Sequence, residues 1–150
     1  MLLSPIADVI VIPPPAYADE RRTVWLAGAG WGVPEGTHLA LAARAGALGA
    51  RLALGTQASA QATFTGAGRY FLPAPLAGGF LGAGAALEAG SRLDQALAFV
   101  DAGWQLRGGR WVLEVAAGPA PFAWGSDPLA QMLGGLAGAP RLQCTAYWRF

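Results

Sequence analysis

Along most of this chain apolar and polar residues alternate with period two, the spacing at which side chains fall on opposite faces of a β-strand. From Arg51 to Phe64 one parity reads Leu52, Leu54, Thr56, Ala58, Ala60, Ala62 and Phe64. The other reads Arg51, Ala53, Gly55, Gln57, Ser59, Gln61 and Thr63. The same division recurs elsewhere, and the pattern predicts eight strands, at 23–33, 38–47, 51–64, 68–73, 80–89, 95–106, 110–117 and 141–150. The helical period is absent from most of the chain. The longest uncharged stretch, 70–87, is broken by Pro73, Pro75 and several glycines, which argues against a membrane helix.

The connections are short. Arg107-Gly108-Gly109-Arg110 is a tight hairpin signal. A turn at Gly108-Gly109 pairs Leu106 with Trp111, Trp104 with Leu113 and Ala102 with Val115, all of one parity. Pro34-Glu35-Gly36, Leu48-Gly49 and 90–94 read as further turns. Only 118–140 is long; there Ser126-Asp127-Pro128 forms a plausible cap for a short helix over 129–133. Successive short hairpins imply an antiparallel meander, and eight strands can close on themselves and leave no edge. The expected fold is all-β: an antiparallel, up-and-down, eight-stranded transmembrane β-barrel with one long loop.

Composition decides which face is outside. The chain has 150 residues, ten basic and nine acidic, a net charge of +1, and only 13% charged residues. Every basic residue is arginine. Mean hydropathy is +0.38. This excludes a disordered tail and a nucleic-acid binder, which needs a basic stripe. The polar parity, mostly Gly, Ala and Gln with scattered charges, would coat a soluble domain poorly. It suits the narrow interior of a small barrel instead. The apolar parity then faces lipid, and Arg44, Arg51, Arg69, Glu88, Asp101, Glu114 and Arg149 form a charge network in the lumen. If the strands alternate in direction, Trp25, Trp104, Trp111, Trp148 and Phe150 gather at one membrane interface and Trp31, Phe64 and Tyr70 at the other.

The chain ends Leu142-Gln143-Cys144-Thr145-Ala146-Tyr147-Trp148-Arg149-Phe150, with apolar residues at alternate positions before a terminal aromatic. This resembles the last strand of Gram-negative outer-membrane β-barrel proteins, and the strand number resembles the small OmpA/OmpX/OmpW-like barrels. The resemblance covers the architecture of residues 23–150. It implies a bacterial outer-membrane location, contact with outer-membrane lipids, insertion by the barrel-assembly machinery, and a monomer with a structural or interaction role. Extracellular loops in such barrels are usually longer than those here, which weighs against an adhesive or receptor role.

Residues 1–18 differ from the barrel domain, 19–150. They hold all three isoleucines and Pro13-Pro14-Pro15, and end Ala16-Tyr17-Ala18. Small residues at the −3 and −1 positions fit cleavage after Ala18, so the segment reads as a truncated export signal; without a basic start, it reads equally as a Pro-rich tail. No cofactor or metal is expected, because one His and one Cys make no ligand set. No enzyme is expected either. Two alternatives stand beside the structural barrel. One is a soluble secreted β-barrel that binds an apolar ligand. The other is a lipid A-modifying acyltransferase or deacylase, with His38, Ser126 and Asp127 at the extracellular rim.

Overall fold

The computed structural model describes residues 23–33, 35–56, 62–73, 76, 78–89, 95–125 and 139–150. The strands are β1 (Val24–Val33), β2 (Gly36–Ala45), β3 (Leu48–Thr56), β4 (Ala62–Phe71), β5 (Gly79–Ala89), β6 (Gln95–Gly108), β7 (Trp111–Ala120), β8 (Phe122–Gly125) and β9 (Ala139–Arg149). All pairings are antiparallel. They run β5-β4-β3-β2-β1-β9-β7-β6, and β5 pairs again with β6, closing an eight-stranded β-barrel. The short β8 adds to β6 beyond β7. Val24 and Phe150 mark the lower end of the barrel; the turn from Val33 to Gly36 marks the upper end.

The two parities separate cleanly. Leu39 is 70% exposed and Trp111 57%, whereas Glu114 is 0% and Arg51 1% exposed. Trp104, Leu113 and Val115 lie on the outer surface, while Asp101 and Glu114 point into the barrel. The interior is filled by side chains, as expected at this strand number. Small apolar layers alternate with polar ones: Val24, Leu26, Ala40, Ala42, Ala53, Val112 and Tyr147 form one cluster, and Phe71, Phe80 and Ala116 another.

Several boundaries differ from the sequence reading. The alternation over 51–64 crosses a hairpin: Thr56 pairs with Ala62 and Leu54 with Phe64. Partners in this hairpin share one parity, so the pattern runs through the turn without a break. The adjoining strand is therefore 62–71, not 68–73. The β2–β3 turn lies at Gly46-Ala47, with Gly46 at φ 60°, two residues before Leu48-Gly49. Gly108 pairs with Trp111 and Leu106 with Leu113, so the β6–β7 turn is Gly109-Arg110 and the register is displaced from the expected one by two. A displacement of two keeps every side chain on its face, so alternation cannot detect it.

The expected long loop is shorter than 118–140, because β7 reaches Ala120, β8 adds 122–125 and β9 begins at Ala139. Ala117 pairs with Ala102 and Phe122 with Ala98, so five steps on one side match four on the other. This is a one-residue β-bulge. It contains Pro119, which has no N–H to give to a ladder, opposite Pro140 of β9. The expected helix over 129–133 and the segment 1–18 lie outside the described residues.

Close backbone approach makes one glycine diagnostic. A Cβ on Gly118 would strike the Val100 carbonyl and lie 2.7 Å from the Asp101 Cα, whereas a Cβ on Gly68 would meet nothing within 4 Å. We expect Gly118→Ala to lower folding stability by more than the ~1–3 kcal/mol of ordinary overpacking. Gly68→Ala should stay within about 0.5 kcal/mol of the parent. Urea titration of the refolded barrel checks both.

Candidate functional site: a charged lumen

The lumen site begins with an empty wall. The inward positions of β1 above Leu26 are Gly28, Gly30 and Gly32, and side chains from its neighbours lie across them. A Cβ on Gly30 would sit 2.7 Å from His38 Nε2, and one on Gly32 would sit 3.3 Å from Glu35 Oε2. Phenylalanines use the same device on other strands: Phe71 lies over Gly49, Phe99 over Gly84 and Phe80 over Gly103.

Glu114 of β7 is the centre of the lower part of the site. Its two oxygens take a bidentate pair from Arg69, with Arg69 Nη2 donating to Oε1 at 2.7 Å and Nη1 to Oε2. Gln105 Nε2 donates to Oε2 at 2.8 Å and Gln143 Nε2 to Oε1 at 2.9 Å. The Tyr147 hydroxyl lies 3.5 Å from Oε1. Such a buried carboxyl group has its oxygens met by fixed amide dipoles and one fork-shaped cation.

The upper part is built on Arg141 and Glu35. Arg141 Nη2 donates to Glu35 Oε1 at 2.5 Å and to Gln143 Oε1 at 2.6 Å, while Nη1 pairs with Asp101. Arg51 Nη1 reaches Glu35 Oε1 at 3.4 Å. Its Nε donates to Tyr147 Oη at 3.0 Å, linking the upper and lower parts through one phenol. His38 Nδ1 lies 3.2 Å from the Gly36 carbonyl oxygen, so it carries the ring proton. Nε2 is then the acceptor for Arg51 Nη2 at 3.0 Å and the Thr145 hydroxyl at 2.9 Å. In all, Arg51, Arg69 and Arg141 balance Glu35, Asp101 and Glu114, three charges of each sign.

Each of three inward arginines also covers an aromatic ring. Arg44 lies 3.9 Å from the centroid of Phe71, Arg69 4.4 Å from Phe80, and Arg141 3.9 Å from Phe99. A planar guanidinium can stack on a ring while its edge donates to a carboxylate; an ammonium cannot do both as well.

Of the residues expected in the lumen, Arg51, Arg69, Asp101 and Glu114 meet in this network. Arg44 is buried near the lower end, where its Nε donates to the Gly46 carbonyl at 2.8 Å, and Glu88 is buried near the upper end. Arg149 is exposed at the lower end of β9, because the last residues of the strand project past the lumen. His38 is not a rim residue: it is 2% exposed, because β2 turns it inward below the Glu35 turn. Ser126 and Asp127 lie outside the described residues. Of the interface aromatics, Trp25, Trp104, Trp111, Trp148 and Phe150 are at the lower end and Trp31 and Phe64 at the upper. Tyr70 is at the lower end, opposite Leu48, and not with Phe64, because both residues belong to β4.

Arg141, Glu35, Tyr147, Gln143 and Gln105 were missed as network members. Arg141, Gln143 and Gln105 carried a usable signal, since each shares the inward parity of its strand. Glu35 carried none: it sits in a turn, where a carboxylate ordinarily meets water. Among the described residues no group of three or more His, Cys, Asp or Glu could hold a metal ion. Comparison with protein-family models, curated proteins and solved structures finds no match to this chain.

Two outcomes follow from the network. Glu114→Leu should cost about 3–5 kcal/mol by leaving Arg69 buried without its partner. The double variant Arg69→Met/Glu114→Leu should cost clearly less than the sum of the single changes, a coupling that a double-mutant cycle in urea measures. Burial pushes the Glu35 carboxyl up, but Arg141, by charge and hydrogen bond, and the charge of Arg51 outweigh it and hold the group below its ordinary range. The stability this adds is complete above the unfolded pKa of the group and is lost as pH falls through the folded one. The gap in unfolding midpoint between wild type and Glu35→Gln should therefore be widest near neutral pH and narrow in acid.

Proposed function

We propose that this chain is an integral outer-membrane β-barrel protein with a structural or interaction role and no wide pore. One observation carries the reading: large apolar side chains cover the outside of a closed barrel that buries four arginines and four carboxylates inside. In water that arrangement is inverted. At ~25 cal/mol per Å² of apolar surface, such an exterior is strongly driven out of water. In hydrocarbon it is the expected one, because a closed barrel leaves no backbone group without a partner.

Strand lengths agree with this. Most strands have 9–11 residues, about the length that a tilted strand needs to cross a bilayer. Trp25, Trp104, Trp111, Trp148, Tyr70 and Phe150 belt the lower end, and Trp31 and Phe64 stand at the upper end. Trp111 and Trp148 pack edge to face with centroids 4.7 Å apart, and the Arg110 guanidinium lies 6.0 Å from the Trp148 ring. Indoles beside a cation suit the headgroup level of a membrane. β9, with apolar residues at alternate outward positions, is the strand that the barrel-assembly machinery would read. Outer-membrane lipids are the surrounding partner, and a monomer suffices because the barrel closes within one chain.

The lumen reading follows from the same geometry. Arg69, Glu114, Arg141, Glu35 and Arg51 bridge the interior from several strands and so narrow any path through it. We expect the refolded protein to migrate differently on a gel before and after boiling, and to remain dispersed only with detergent or lipid. In planar bilayers it should give no large, steady single-channel current. Full solubility without detergent would defeat the membrane reading, and a stable large current would defeat the closed lumen.

A further inference from the structure

The described lumen holds four buried arginines and four buried carboxylates, but Arg44 lies near its lower end and Glu88 near its upper end. Glu88, on β5 near the upper end, is 9% exposed and forms no ion pair among the described residues. Directly opposite it on β4 is Thr63, and one inward step below is Thr65. Both threonines are 0% exposed, and both hydroxyl oxygens are buried with no hydrogen-bond partner. Opposed residues on neighbouring strands bring their Cβ atoms to about 5 Å, so Glu88 and Thr63 share one small volume.

The same row continues around the barrel. Thr63 pairs with Gly55 of β3, and a Cβ on Gly55 would strike the Glu35 carbonyl. The Glu35 turn therefore folds over the lumen beside Thr63. Its Oε1 is taken by Arg141 and Arg51, while its Oε2 is buried without a partner.

Glu88, Thr63 and Thr65 bring a carboxylate and two hydroxyls to one stretch of wall, and among the described residues no cation pairs with Glu88. Oxygen donors select hard cations and ammonium groups over soft metals. A divalent ion calls for more than one uncommitted carboxylate, whereas one matches a single positive charge. We infer that the upper lumen, at Glu88, Thr63 and Thr65, is a binding site for one monovalent cation, either a small metal ion of the sodium kind or a primary ammonium group. The inference does not depend on what surrounds the barrel.

The test uses the full chain refolded in zwitterionic micelles. Urea unfolding midpoints are measured in sodium chloride and in methylammonium chloride, each titrated against choline chloride at constant ionic strength. The expected result is a saturable rise in midpoint with one of the two small cations, which also tells the metal ion from the ammonium. Glu88→Gln should weaken the apparent affinity by about tenfold or more, the equivalent of ~1.4 kcal/mol. Thr63→Val should weaken it less. No saturable difference from choline would mean that the corner holds water only, and an equal response in Glu88→Gln would place the ion elsewhere; either overturns the site. If Glu88→Gln does not refold, Thr63→Val and crystals of the wild type soaked in thallium(I) decide. Anomalous density between Glu88 and Thr63 supports the site, and its absence there overturns it. Failure of the wild type to need detergent would instead count against the membrane reading and leave this result intact.

Discussion

A carboxylate sealed inside a narrow barrel must be met by donors that cannot move away, and Glu114 sets that condition for the whole molecule. Its oxygens are answered by Arg69 from β4, Gln105 from β6, and Gln143 and Tyr147 from β9. Glu35 makes the same demand on Arg51 from β3 and Arg141 from β9. These strands lie on different sides of the barrel, so the network is complete only when the sheet has closed. Closure and charge satisfaction are thus one event, and the outward placement of the apolar parity follows from it. A one-residue slip of β3, β4 or β9 would put a guanidinium on the apolar exterior and leave a carboxylate inside alone.

The use of arginine alone fits this constraint. Arg69 places two edges of one plane against Glu114 and a face on Phe80; Arg141 does the same between Asp101, Glu35 and Phe99. A planar guanidinium presents its donors in a fixed fork that matches a carboxylate, which an ammonium does not. The glycines complete the design by subtraction. With no side chains on the inner face of β1 from Gly28 to Gly32, there is room for an imidazole and a carboxylate that a fuller wall would exclude.

What could be read from the sequence was the face of each residue, because parity survives errors of two. Leu52, Leu54, Phe64, Leu113 and Val115 face outward, and Arg51, Asp101 and Glu114 inward, even though two strands were misdivided and one hairpin register was displaced. Turns were poorly legible where partners share parity, as Leu54 and Phe64 do. The position of Tyr70 was lost with that turn. In the network, inward parity pointed to Arg51, Asp101 and Glu114, but it could not show that the Glu35 turn bends into the barrel or that His38 follows it. Those depend on the glycine wall of β1, an absence of side chains whose use appears only when the neighbouring strands are in place.

Cys144 lies on the outer face of β9, between Trp31 of β1 and Val115 of β7. In the proposed setting its sulfur is bathed in acyl chains. A sulfur set in hydrocarbon is out of reach of the dissolved thiols and oxidants that meet a cysteine in water. An oxidising compartment, which punishes an odd cysteine on a wetted surface, would leave this one untouched.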